Sequence, residues 1–101
     1  MPRAKQIDEE TIAEKTVEHD VDNGKFYIPF SDKQAVLRYS VDDEEETTLV
    51  EFKSIFIPPS LRNKGLEQKI VSAAYEYANG EDLTTKPDTE EDFYEKNQDY
   101  I

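Results

Sequence analysis

One stretch decides the fold of this chain: residues 47–79 read TTLVEFKSIFI, PPSLRNKG and LEQKIVSAAYEYAN in succession. The part from Thr47 to Ile57 alternates between polar and apolar residues and is rich in β-branched and aromatic side chains, which predicts a long strand. From Ile55 the apolar residues follow one another without a break. This loss of phase indicates a β-bulge or a strand that is buried on both faces.

Two prolines end the strand, and helical spacing follows from Leu61 to Asn79, with Gly80 just beyond the predicted helix end. A further strand is predicted at Leu83-Thr84-Thr85. Thr89 then precedes three acidic residues, which predicts the start of a second helix with Thr89 as its cap. Tyr75 points away from the apolar face of the first helix. That face is predicted to hold Leu66, Ile70, Ala73, Ala74, Tyr77 and Ala78.

Strand patterns also precede the deciding stretch. Asn23-Gly24 is a strong hairpin signal, because both positions of a tight hairpin turn need positive φ. Pro29 has no amide donor, so the strand that holds it should be bulged or at an edge. The element order β-β-β-β-α-β-α predicts an α+β domain with a mixed, mostly antiparallel sheet. The predicted strands are Thr16–Val21, with Val17, His19 and Val21 on one face, then Lys25–Phe30 and Gln34–Val41.

The chain has 101 residues, the length of one domain. Residues 1–14 are acidic and hold few bulky apolar side chains, so we expect a flexible tail there and a single domain over residues 15–101. Aromatic residues make up 11% of the chain, which favours a folded core over general disorder.

Several classes of protein are excluded by composition. No apolar run approaches the length of a membrane span, and no apolar stretch follows Met1 as in a signal peptide. The chain has no cysteine, which excludes disulfides, thiolate metal sites and a cysteine nucleophile. His19 is the single histidine and cannot form a histidine zinc site alone. We expect a cytoplasmic protein, with the nucleus also open to it.

Charge is unevenly distributed. The net charge is −12, which disfavours binding to duplex DNA or to an anionic membrane and suits a basic partner. The exception is a positive segment with Lys53, Arg62, Lys64 and Lys69 against Glu67. A strand that runs through such a loop into a helix presents free amides and cations together, which predicts a phosphate-binding site. The alternative is an ordinary turn with solvated basic side chains.

From Phe26 to about Tyr100 the chain resembles the smallest GNAT-type N-acetyltransferases. The pyrophosphate motif of that family is Arg/Gln-x-x-Gly-x-Gly/Ala, and here it reads Arg62-Asn63-Lys64-Gly65-Leu66-Glu67. The segments that carry the resemblance are Lys25–Ile28, Ala35–Tyr39, Ile57–Gly65, Ala73–Ala78 and Tyr94–Lys96 ahead of Asp99-Tyr100.

The resemblance implies a GNAT-like mixed sheet, acetyl-CoA as the ligand and acetyl transfer to an amine. The backbone amides from Asn63 to Leu66 (a stretch that includes Gly65), together with Arg62 and Lys64, would hold the pyrophosphate of CoA. A backbone amide at Phe56 or Ile57 would polarise the acetyl carbonyl. The acidic surface would attract the acceptor, a basic protein or peptide.

The chain departs from the family pattern at several positions. Glu67 stands where the family has Gly or Ala, and Asn63 where the subfamily usually has Gly. Ser54 lies near the usual histidine position, and Pro87 or Thr89 at the usual cysteine position. Ser54 and Thr89 are therefore the candidate catalytic hydroxyls, although a hydroxyl needs an activating partner.

These departures leave other functions open. One is a GNAT-fold protein that has lost catalysis and binds a basic protein through the Asp42–Glu46 loop or the acidic C-terminal segment. Another is an acidic mimic of nucleic acid that blocks a basic groove.

Overall fold

The computed structural model describes residues 15–30, 32–43 and 46–98. The predicted tail, residues 1–14, lies outside these ranges. Five strands are present: β1 (Glu18–Asp20), β2 (Lys25–Pro29), β3 (Gln34–Asp43), β4 (Thr48–Phe56) and β5 (Thr84–Lys86). A short 3₁₀ helix (Pro59–Leu61) precedes the two α-helices, α1 (Leu66–Gly80) and α2 (Glu90–Lys96).

The strands form one mixed sheet in the order β1-β2-β3-β4-β5. The first four strands are antiparallel, and β5 pairs in parallel with β4 after the chain has crossed through α1. The predicted element order and the α+β class are confirmed. Pro29 is the last residue of β2, and β1 pairs only with the first three residues of β2. The missing amide of Pro29 therefore interrupts no hydrogen bond between β1 and β2.

The expected break of phase in β4 is a β-bulge. Arg38 pairs with Ser54 and Tyr39 pairs with Phe52, so Lys53 is the extra residue. The bulge resets the alternation, because Phe52 and Ile55 are both buried although two residues lie between them, a spacing that puts side chains on opposite faces of a regular strand. The bulge therefore keeps the apolar side chains of β4 on the face toward the core, although polar and apolar residues do not alternate regularly along the strand.

The first hairpin lies where Asn-Gly predicts it, but its turn is different. Asp20 pairs with Lys25 across four loop residues, and of the loop residues only Gly24 has a positive φ, 64°. The Asp20 carboxylate instead accepts hydrogen bonds from the backbone and side-chain nitrogens of Asn23, at 3.2 and 2.8 Å. The prediction that Val21 shares a strand face with Val17 and His19 is wrong, because β1 ends at Asp20 and Val21 lies in this loop, 66% exposed.

The predicted start of the first helix at Leu61 is also wrong. Asn63 and Gly65 both have left-handed backbone angles, with φ of 65° and 84°, and a helix cannot continue through them. Regular helix therefore begins at Leu66. At the other end Gly80 is still helical, and Asp82 has the left-handed conformation that follows the helix, with φ of 60°.

The core lies between one face of the sheet and the two helices. The predicted apolar face of α1 is rotated, since Val71 and Tyr75 are buried whereas Ala73 and Tyr77 are only half-buried. The reason is that α1 packs on α2 as well as on the sheet. The expectation that Tyr75 points outward is corrected by its 5% exposure.

Candidate functional site

The second half of β4 has a partner on one side only. In the described part of the chain, β5 pairs with β4 at Leu49, Val50 and Glu51 and no further. Beyond the bulge, β4 pairs with β3 alone. Its other edge therefore presents backbone groups that no described strand satisfies. This half-strand leads through the 3₁₀ helix into residues 62–65, which we call the basic loop.

The basic loop is held to the end of β4 by Arg62. The Nε of Arg62 donates a hydrogen bond to the carbonyl oxygen of Ile57 at 2.8 Å. The guanidinium carbon of Arg62 also lies 5.8 Å from the centre of the Phe56 ring. This arrangement fixes the stem of Arg62 and leaves the two terminal nitrogens of its guanidinium group for a ligand.

The start of α1 is an uncapped helix end. Gly65 occupies the N-cap position and offers no side-chain acceptor to the first amides of the helix. The first backbone hydrogen bond of the helix is donated by the amide of Lys69 to the carbonyl oxygen of Gly65, at 3.3 Å. A Cβ atom at Gly65 would meet nothing within 4 Å, so the space in front of these amides is open. Glycine is favoured here by its positive φ and not by crowding.

One carboxylate belongs to the same helix end. Glu67 lies in the first turn of α1, and its Oε1 atom is buried with no hydrogen-bond partner in the described ranges. Its charge acts on Tyr94 of α2: burial raises the pKa of Tyr94 to about 12, with further contributions from Glu90 and Glu67. Glu67 therefore faces the α1–α2 side of the helix end and reduces the positive potential there.

The two candidate catalytic hydroxyls are far apart in the fold. Ser54 is exposed beside the bulge of β4, whereas Thr89 is the N-cap of α2. The hydroxyl of Thr89 accepts a hydrogen bond from the amide of Asp92 at 3.2 Å, as expected for a helix cap. Neither hydroxyl has a histidine or carboxylate hydrogen-bond partner in the described residues, so neither is activated as a nucleophile.

Tyr75 is a structural residue that sequence reasoning missed. Its hydroxyl donates to the carbonyl oxygens of Pro87 and Thr89, at 2.8 and 3.2 Å. Burial raises the pKa of Tyr75 well above its usual range, and nearby carboxylates, Glu90 first, add to the shift. Val71 and Tyr75 are four residues apart, and this spacing is the feature of the sequence that indicates a second buried stripe on α1.

A groove lies between α1 and the residues that precede β1. It has a volume of about 460 Å³ and is bordered by residues 15–17 and by Lys69, Ser72, Ala73 and Glu76 of α1. Its lining is of mixed polarity and includes no aromatic side chain. It does not include the basic loop.

Comparison of the chain with family models, with curated proteins and with solved structures gives no match. Within the described residues, no group of three or more His, Cys, Asp or Glu side chains is placed to hold a metal ion. No helix in the same ranges is long and apolar enough to cross a membrane.

Proposed function

We propose that the chain binds acetyl-CoA at the basic loop and transfers the acetyl group to an amine. The observation that carries the proposal is the junction at the end of β4, where a strand edge without a partner leads into a cationic loop and an uncapped helix end. A pyrophosphate needs amide donors and positive charge. A thioester carbonyl needs a nearby backbone donor, and both kinds of donor occur at this junction.

Each residue of the junction has a role in the proposal. The pyrophosphate lies against the backbone amides from Asn63 to Leu66, with Lys64 and the terminal nitrogens of Arg62 as counter-charges. The acetyl carbonyl accepts a hydrogen bond from the amide of Phe56 or Ile57. The bond between Arg62 and the Ile57 carbonyl supports this arrangement, because it holds the phosphate-binding residue against the strand that binds the thioester.

The transfer needs no covalent enzyme intermediate. The nitrogen of a neutral amine attacks the thioester carbon, the carbon–sulfur bond breaks, and CoA leaves as a thiolate. The ammonium that forms loses one proton, which neutralises the thiolate directly or through water. The contribution of the protein is orientation and polarisation of the carbonyl. This accounts for a site without an activated hydroxyl.

The experiment is an amide NMR titration of the full chain with acetyl-CoA. The proposal predicts saturable shifts centred on residues 62–68, competition by CoA, and at least tenfold weaker binding by Arg62→Gln, roughly the effect of one lost charge-assisted bond. Lys96→Gln removes a cation from α2 and should bind normally. Transfer is then assayed by mass spectrometry of a lysine-rich peptide. No saturable shift at about 1 mM acetyl-CoA would exclude the proposal, since that corresponds to only about 4 kcal/mol of binding.

A second candidate function has its own observation. The Thr89 hydroxyl is engaged as a cap, and a carboxylate occupies the first turn of α1, both of which suit a fold that has lost catalysis. Under this proposal the chain binds a basic protein through its acidic segments. The Asp42–Glu46 loop is one of them, and its central residues lie outside the described ranges. A lysine-rich peptide that binds a chain unresponsive to acetyl-CoA is the expected result.

A further inference from the structure

The face of the sheet opposite the helices carries a row of apolar and aromatic side chains. Tyr27, Val36 and Phe56 are direct cross-strand neighbours on β2, β3 and β4. Tyr27 and Val36 are half-buried, and Phe56 is 45% exposed. The buried residues of these strands alternate with this row and face the helices. The row is therefore an apolar surface that no described helix covers.

Cations surround this row. The Nζ of Lys25 lies 4.6 Å from the centre of the Tyr27 ring, and the guanidinium carbon of Arg62 lies 5.8 Å from that of Phe56. Arg38 pairs with Lys25 on one side and with Ser54 on the other, in the next row of the same face. We call Lys25, Tyr27, Val36, Arg38 and Phe56 the sheet-face strip.

No described carboxylate forms an ion pair with these cations. In the described part of the chain, no carboxylate oxygen lies within 4.0 Å of the side-chain nitrogens of Lys25, Arg38 or Arg62. The nearest carboxylates in the register are on the edge strand β1, where Glu18 lies opposite Tyr27 and Asp20 lies opposite Lys25. The Asp20 carboxylate is held by hydrogen bonds from Asn23 and interacts with Lys25 only through its longer-range charge. A strip with unpaired positive charge is unusual on a chain with 24 acidic and 12 basic residues.

We infer that the sheet-face strip docks an acidic, extended segment of a partner protein. A bulky apolar side chain of that segment packs on Val36 between the rings of Tyr27 and Phe56, and its flanking carboxylates meet Lys25, Arg38 and Arg62. β3 separates β2 from β4, so the two rings are about 10 Å apart. In an extended chain, carboxylates two residues before and two residues after the apolar residue face the same side as it does and lie about 13 Å apart, enough to reach past both rings to the cations. Charge and shape thus fit the same occupant.

A nucleic acid suits this strip less well. Its continuous line of phosphates would extend past the strip onto acidic surface, where a chain of net charge −12 repels it. A short acidic segment places only a few charges, all of them within the range of the cations, because salt screens the more distant carboxylates beyond about 8 Å. The faces of the rings are moreover already in contact with the cations of the chain itself.

The test is a titration of the full, ¹⁵N-labelled chain with a synthetic peptide in which Asp and Glu flank a central Leu-Phe pair. We expect saturable amide shifts at Tyr27, Val36 and Phe56, and weaker binding when salt rises from about 50 to about 300 mM. Arg38→Glu should weaken binding about tenfold. The matched control is Lys96→Glu, which makes the same charge change on α2 and should alter affinity less than about twofold. Both positions are exposed, and thermal unfolding of each variant checks the fold.

Three results would overturn the inference. They are no saturable shift at about 1 mM peptide, shifts centred outside the strip, and equal losses for Arg38→Glu and Lys96→Glu. Tighter binding of an oligouridine probe at the strip would also overturn it, in favour of a nucleic-acid surface. Arg62 is shared with the proposed acetyl-CoA site, whereas Lys25 and Arg38 lie outside the basic loop, so the loss expected for Arg38→Glu does not depend on acetyl-CoA binding.

Discussion

His19 and Tyr39 are joined by a hydrogen bond of 2.6 Å between the Nε2 atom of the imidazole and the phenolic oxygen. The imidazole stacks on Phe26 with ring centres 4.0 Å apart and meets the edge of Tyr77 at 4.6 Å. β1 is only three residues long and lies at the edge of the sheet. This cluster therefore attaches the edge strand to β3 and α1 as well as to β2, with which β1 pairs.

The His19 cluster predicts a pH dependence of stability. Burial lowers the pKa of His19 below the usual histidine value of 6.5, and the opposing effect of Asp20 is smaller. Because the folded pKa is depressed, the unfolded chain binds more protons between the two pKa values. The contribution of His19 to stability is therefore complete above about pH 6.5 and declines as the pH falls toward the folded pKa.

Urea unfolding at pH 7.5 and 5.5 measures this effect. The native chain should lose more unfolding free energy between these values than His19→Gln, in which only the carboxylates titrate. Equal losses in the two proteins would show that His19 ionises as freely in the folded as in the unfolded chain.

Gly24→Ala should destabilise the first hairpin. Gly24 has a φ of 64°, and a Cβ atom there would lie 2.6 Å from the carbonyl oxygen of Tyr39. The amide of Tyr39 donates to Gly24 at 2.9 Å, so the two backbones cannot separate without losing that bond. We expect a loss of about 2–3 kcal/mol in unfolding free energy.

Gly80→Ala is the matched control for Gly24→Ala. Gly80 lies in the last turn of α1 with open space around its Cβ position. Alanine there should be neutral or stabilise the chain by up to about 1 kcal/mol. If both variants gave the same unfolding midpoint in urea, the close approach of Gly24 to Tyr39 would not be a feature of the folded chain.

Tyr75→Phe should loosen the segment that joins β5 to α2. The Tyr75 hydroxyl donates to two carbonyl oxygens there, those of Pro87 and Thr89. Its removal leaves these carbonyls without that donor and should reduce the unfolding free energy by about 1–2 kcal/mol. Tyr94→Phe is the control, because the Tyr94 hydroxyl makes no hydrogen bond to the described residues, and it should cost less than about 0.5 kcal/mol. Amide hydrogen exchange at residues 88–92 should accelerate in Tyr75→Phe alone.

Local pattern predicted some elements of this chain and failed at others for physical reasons. A bulge in β4 was one of two alternatives that the unbroken apolar run from Ile55 indicated, but its position at Lys53 was not foreseeable from that run. The start of α1 was not foreseeable, because the helical spacing of apolar residues continues through Asn63 although its left-handed backbone cannot be part of a regular helix. Tyr75 and His19 depend on contacts with Pro87 and Tyr39, which lie 12 and 20 residues away. The sequence predicted the basic loop as a positively charged segment. It could not predict the unpaired edge of β4 beside that loop, because this edge depends on where the pairing between β4 and β5 ends.

Glu67 is the residue whose replacement best tests the proposed acetyl-CoA site. Its carboxylate shares the first turn of α1 with the amides that would bind the pyrophosphate. Glu67→Gln keeps the size of the side chain and removes the charge, so acetyl-CoA affinity should rise about threefold to tenfold. The pKa of Tyr94 should fall from about 12 yet stay above the usual tyrosine value of 10.0, because burial is the larger cause of its shift.

Glu90→Gln is the control that separates these two effects. Glu90 also raises the pKa of Tyr94, but it lies on α2 and outside the basic loop. Its replacement should lower the Tyr94 pKa in an ultraviolet titration and leave acetyl-CoA affinity unchanged. If Glu67→Gln lowered the Tyr94 pKa without improving affinity, the carboxylate would face α2 only, and the pyrophosphate would have to bind elsewhere than at the first turn of α1.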